Sequence, residues 1–192
     1  MYACAENQPL VAGSSSGRQS STGPKRPLVT VRWPEQADSE AIDTLFATPD
    51  ILSWTAALPG SPITRPQAQS NPSDEGYVLL ACEDSTIVGA VYLSVCSTGQ
   101  SRHTGFIGSL VIDQERRSQE ICSKLMKSAL YFADHWLHLK RLQLAVLADH
   151  DVAVKVFGRF GFVEKGRLQD CVLQGEDSID VILMSRVKVD ND

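Results

Sequence analysis

The sequence predicts an α/β (α+β) domain in which a central sheet is flanked by helices. Three observations predict it. Short β-branched or alternating apolar runs are separated by longer segments whose apolar residues recur at helical spacing. Apolar residues make up 43% of the chain and charged residues 21%, the usage of a globular protein that can bury a core. At 192 residues the chain has room for one domain, residues 27–188, and a tail, residues 1–26.

Residues 28–32 are β-branched and short, a first strand, after which Pro34 and Asp38 announce a helix over residues 39–47. Pro49, Pro59, Pro62, Pro66 and Pro72 follow, so any helix between residues 48 and 76 must be short. An irregular stretch of that length inside a domain is more often functional than not. Residues 77–82 and 87–95 are apolar runs around Glu83, Asp84 and Ser85, the pattern of an antiparallel hairpin. Residues 106–112 give another strand. Ile121, Leu125, Ala129, Phe132, Ala133 and Trp136 then mark one face of a helix, with Lys124, Lys127 and Asp134 on its wet side. Leu142, Leu144 and Val146 alternate with Gln143 and Ala145 as a strand does. Val152, Val156 and Phe160 return to a helical period, and Gly161 stands where a glycine ends a helix. Residues 171–173 and 181–184 close the chain as a strand pair around a turn at Gly175.

Charge and composition exclude several classes. The net charge of −5 and the lack of a long Lys/Arg run argue against a nucleic-acid partner. The apolar run of residues 87–95 falls far short of the roughly 20 residues a membrane-spanning helix needs, so no membrane partner is expected. Five cysteines (Cys4, Cys82, Cys96, Cys122, Cys171) are widely spaced, odd in number and without a CxxC pair, which fits a reduced, cytoplasmic setting. The Ser-rich residues 1–26 read as a disordered tail without the apolar core of a cleaved signal. Delivery outside the cell by a non-cleaved N-terminal signal is the lesser alternative. His135 and His138 share a helix face, but no third ligand is evident and no metal is expected.

The strand "IGSLVID", the loop "QERRSQEICS" and the helix start "KLMKSAL" resemble the acyl-CoA-binding core of the GNAT (acyl-CoA-dependent N-acetyltransferase) superfamily. "LQLAVLADHDVAVKVFGRFGF" is similar to the family's next strand and helix, and "LQGEDSIDVILMSRV" resembles its closing hairpin. The likeness runs without a gap over residues 76–188 and looks most like bacterial enzymes that acetylate free amino acids or similar small amines. It implies a mixed, mostly antiparallel central sheet flanked by helices, with acetyl-CoA as co-substrate.

The chemistry needs a pyrophosphate held by backbone N–H groups at a helix start, where unpaired donors and the helix dipole both favour an anion. Arg116, Arg117, Ser118, Gln119, Glu120, Ile121, Cys122 and Ser123 form the candidate loop. The resemblance adds backbone contacts to the pantetheine arm from Leu110, Val111 and Ile112, and a cofactor contact at Phe157. The family motif Arg/Gln-x-x-Gly-x-Gly/Ala falls on Arg117, Glu120 and Cys122, so Glu120 puts a carboxylate where a glycine is usual. Read without the family, the same loop is a helix start capped by Ser118.

Proton transfer is the poorer part of the reading. Phe157 stands where the family has a tyrosine acid, and Ile107 where a carboxylate often serves as base. His150 and His103 are the imidazoles available as catalytic candidates, although each also reads plainly as a polar residue at an element's end. Asp180 matches an Asp of the amino-acid acetyltransferases and is the candidate substrate-binding residue. Two functions follow: N-acetyl transfer from acetyl-CoA to a small-molecule primary amine, an amino acid among them, or a catalytically degenerate fold acting through a protein partner. A homodimer is left open.

Overall fold

The computed structural model describes residues 28–46, 76–96, 99–116, 119–174 and 177–188. The tail, the proline-rich stretch and the turn at Gly175 lie outside the described residues.

The elements follow the predicted order. Strand β1 (Val29–Arg32) leads through a 3-10 turn at Gln36–Asp38 into helix α1 (Ser39–Phe46). The hairpin β2 (Tyr77–Glu83) and β3 (Thr86–Val95) turns at Asp84, whose φ of 53° is one that Asp tolerates. Next come β4 (Thr104–Ile112), α2 (Gln119–His135), β5 (Arg141–Leu147) and α3 (Asp151–Arg159). Gly161, with φ 85°, stops α3 as a left-handed residue just past the helix. The chain closes with β6 (Val163–Gln174) and β7 (Asp177–Val187), a much longer hairpin than the apolar residues alone marked.

The seven strands of the described residues form one sheet in the order β1-β2-β3-β4-β5-β7-β6. Every pairing is antiparallel except β4 with β5. One face carries the main core: Ile121, Leu125, Met126, Ala129 and Ala133 of α2, with Ala153 and Phe157 of α3, pack on Val88, Val91, Ile107, Leu144, Val146 and Met184. On the other face α1 inserts Ile42 among Val78, Leu80, Ala90 and Tyr92. Burying each of the larger of these side chains contributes about 1.5–3 kcal/mol, and so the wetter faces of the three helices are left to solvent.

Three expectations about faces are corrected. Trp136 is 71% exposed because α2 ends at His135, before the tryptophan completes the apolar stripe. Asp134 is buried rather than wet, because β7 brings Arg186 and Lys188 against the end of α2. In α3 the sheet takes the Ala153 and Phe157 face, leaving Val152 at 62% exposure; the two candidate stripes lie one residue apart, and Phe162 fixes the choice by packing edge-on to Phe157.

Candidate active site

The parallel pair at the centre of the sheet does not stay together. β4 and β5 pair at Thr104↔Arg141, Gly105↔Leu142 and Phe106↔Gln143, and their ladder ends there. Beyond it β4 stays on β3 and β5 stays on β7, so the two strands part with their facing backbone edges outside any ladder. Backbone N–H and C=O groups at such an edge call for hydrogen-bond partners. Leu110, Val111 and Ile112 lie on this parted stretch of β4.

A bulge in β4 marks the region where the strands separate. The register with β3 runs Tyr92↔Ser109 and then Leu93↔Ile107, which leaves Gly108 as the extra residue. Tyr92 packs against it so closely that a Cβ on Gly108 would stand 2.9 Å from Tyr92 Cδ1. Sequence reasoning passed over Tyr92 as one more apolar strand residue. The available signal was Gly108, since a glycine inside a strand often marks a bulge or a close approach. Ile107 is buried in the main core and offers no base.

At the open end of the cleft α2 begins with Gln119; a helix start in general presents N–H groups that lack intrahelical acceptors. Arg117 and Ser118 lie outside the described residues. Gln119 opens the helix and Ile121 is buried beneath it. Cys122 is half-buried, and that burial pushes its thiol up from the ordinary value, so it stays a neutral, small side chain. Ser123 is also half-buried. Arg116 turns toward the β2–β3 hairpin, with Nη1 2.7 Å from Glu83 Oε2. Glu120 turns along the helix, its Oε1 3.1 Å from Lys124 Nζ. Lys124 in turn donates to the Val29 carbonyl at 2.7 Å.

His150 and Asp180 come to the same end of the cleft. The His150 N–H donates to Leu147 O at 3.1 Å, and the Ala148 N–H donates to Asp180 O at 2.8 Å, which pins both residues to the tip of β5. The Asp180 carboxylate accepts from the Asp170 N–H at 3.1 Å and lies 3.5 Å from the Arg167 guanidinium, so it shapes the bulged β6–β7 hairpin. His103 stands elsewhere. Its carbonyl accepts from Lys140 and Arg141 N–H at the paired end of β4 and β5, roughly 25 Å from the open end by strand rise. The two histidines therefore do not converge. Phe157 is 2% exposed and belongs to the core beneath α3.

A sheet that parts at the parallel pair among its described strands, with a helix start at the mouth of the gap, is the arrangement the sequence resemblance implied. The sequence model of the Acetyltransferase (GNAT) family matches residues 40–162, and the chain belongs to that family. It is 27% identical over 160 residues, 83% of this chain and 98% of the relative, to L-amino acid N-acetyltransferase AaaT of Escherichia coli K12. Among solved structures it is similar to a GNAT-family acetyltransferase from Streptococcus pneumoniae, with a TM-score of 0.67 at 24% identity, covering 84% of this chain and 100% of that one. It is also similar to YncA, a putative acetyltransferase from Salmonella typhimurium solved with acetyl-CoA, with a TM-score of 0.72 at 14% identity, covering 86% and 96%. Both likenesses concern the fold.

Among the described residues no helix is long and apolar enough to cross a membrane, and no group of three or more His, Cys, Asp or Glu side chains is placed to hold a metal ion.

Proposed function

We propose that this protein transfers an acetyl group from acetyl-CoA to the primary amine of a small molecule, with free amino acids as the first acceptor class. The observation that carries the reading is the parting of β4 from β5 after Phe106 and Gln143, which leaves their facing backbone edges outside any ladder among the described residues, beside the start of α2. A near full-length likeness to an amino-acid N-acetyltransferase supports the acceptor class.

The residues fit the co-substrate. The edges of β4 and β5 offer alternating donors and acceptors to an amide-bearing arm, and the first turn of α2 offers N–H groups and dipole to phosphates. Acetyl-CoA bound there supplies an activated acyl carbon and a thiolate leaving group. The chain's task is to hold an amine, as the free base, against that carbon.

His150, at the tip of β5 and the start of α3, is the candidate at the open end to take the amine's proton. Phe157 and Ile107 provide neither acid nor base, so the rate rests largely on orientation, which can supply several kcal/mol of a barrier. A thiolate leaves without obligatory protonation, which makes the missing acid tolerable.

Calorimetric titration of acetyl-CoA into the full chain, followed by a thiol-release screen over amino acids and simple amines, tests the reading. Micromolar binding and thiol release with a defined amine class are expected. Absence of binding under all conditions overturns it.

A further inference from the structure

The Glu120 carboxylate sits in the first turn of α2, in the field that the proposed pyrophosphate site uses. Left alone, it would occupy the dipole's anion position and repel incoming phosphates. Its geometry shows where it has gone. Lys124, one helical turn on, places Nζ 3.1 Å from Glu120 Oε1. The same ammonium donates to the Val29 carbonyl at 2.7 Å. Val29 is 5% exposed at the start of β1, so this carbonyl is a fixed anchor rather than a mobile surface group.

An isolated i,i+4 ion pair on a helix contributes little, because two long side chains must be ordered for one contact. Here the β1 carbonyl already orders the lysine. The carboxylate then meets a cation held in place, on the side of the helix that packs against β1.

We infer that Lys124 is a positioning residue for acetyl-CoA: it draws the Glu120 carboxylate along α2 toward β1 and neutralises it there, so that the first turn of the helix still accepts a pyrophosphate. The inference rests on the acetyl-CoA reading above. It also makes a carboxylate in the first turn compatible with the acetyl-CoA reading above.

The test is a double-mutant cycle on the full chain, titrating acetyl-CoA into wild type, Lys124→Met, Glu120→Gln and the double variant. Lys124→Met is expected to weaken binding about five- to tenfold, the size of one unmasked charge near two or three phosphate charges in partly screened solvent. Glu120→Gln in the wild-type background should change affinity by less than about twofold, yet restore most of the loss in the Lys124→Met background. The weakening should shrink as salt rises, as a charge effect must.

A melting curve of each variant separates this from a structural role. The bond to Val29 is lost in both lysine variants, and Glu120→Gln cannot replace it. Recovery of affinity without recovery of Tm therefore supports the inference. If Glu120→Gln raises affinity by the same factor in both backgrounds, Lys124 acts on the phosphates independently of Glu120 and the inference is overturned. A wild type that does not bind acetyl-CoA removes the acetyl-CoA reading itself, and this inference with it. A wild type that binds, with Lys124→Met unchanged, removes the inference alone.

Discussion

Asp134 and Arg186 form a two-point ion pair between the last turn of α2 and β7, Nη1 to Oδ1 at 2.9 Å and Nη2 to Oδ2 at 2.7 Å. Their side chains are 11% and 21% exposed, and Lys188 adds a bond to the Asp134 carbonyl at 3.1 Å. The pair locks the helix that opens at the cleft to the strand that borders β5. Asp134→Ala leaves a mostly buried guanidinium without its partner. It should cost about 3 kcal/mol of unfolding free energy, measured by urea denaturation, because the desolvation of the remaining charge is no longer offset. A loss under 1 kcal/mol would show that water takes over the carboxylate's role.

Acid should loosen the other end of the domain. Arg32 donates Nη1 to Asp38 Oδ2 at 2.6 Å and Nη2 to Oδ1 at 2.9 Å, and the Glu35 N–H adds a bond at 2.7 Å. The guanidinium's hydrogen bonds hold the Asp38 carboxyl below its usual value of 3.8, against the opposing pull of burial, and the Glu35 N–H adds to the lowering. A carboxyl lowered in the folded state stabilises the fold fully above its unfolded value, and that contribution is lost as pH falls through the folded one. The Tm of wild type should therefore fall on acidification below about pH 4, while Asp38→Asn starts lower at neutral pH and falls less over the same window. Parallel Tm profiles for the two proteins would refute the assignment.

The bulge at Gly108 should be sensitive to a single methyl group. A Cβ there would approach Tyr92 Cδ1 to 2.9 Å, and the ring, itself packed on Gly76, has little room to move. Gly108→Ala should cost about 1–3 kcal/mol by overpacking. Because the bulge lies where β4 leaves β5, turnover at saturating acetyl-CoA should fall more than the loss of folded protein accounts for. Unchanged kcat in a folded variant would place the reacting centre elsewhere.

The two histidines should behave differently. His103 stands at the paired end of the strands and His150 at the open end. His103→Ala should leave kcat within about twofold, whereas His150→Ala should lower it tenfold or more if the imidazole takes the amine's proton. A steady-state pH profile of wild type against His150→Ala checks this: a base is silenced by protonation, so the variant should lose the fall in rate on the acidic side that the imidazole produces, a change that mere loosening of α3 does not make.

Much of the architecture was legible in the residues. Alternation in Leu142, Leu144 and Val146, the helical stripe from Ile121 to Ala133 and the glycine after α3 are local signals, set by the geometry of one chain segment and its need to bury one face. They set the order of elements, whereas the family likeness came from the resemblance of the motifs around the start of α2. Which stripe of α3 turns inward was not local: Val152 and Ala153 head equally plausible faces, and only the sheet with Phe162 decides between them. The same holds for Asp134, polar by composition and buried by the arrival of Arg186 from 52 residues away.

The site divides along the same line. Sequence alone placed a carboxylate, Glu120, in the helix start and a phenylalanine where an acid is usual. Only the folded chain shows that Lys124 and the Val29 carbonyl take charge of Glu120, and that His103 and His150 lie at opposite ends of the cleft. It also shows Tyr92 against the β4 bulge. The reason is physical: propensity and periodicity act over one or two turns of chain, whereas charge pairing, register and the parting of two strands depend on segments that meet only after the sheet has formed.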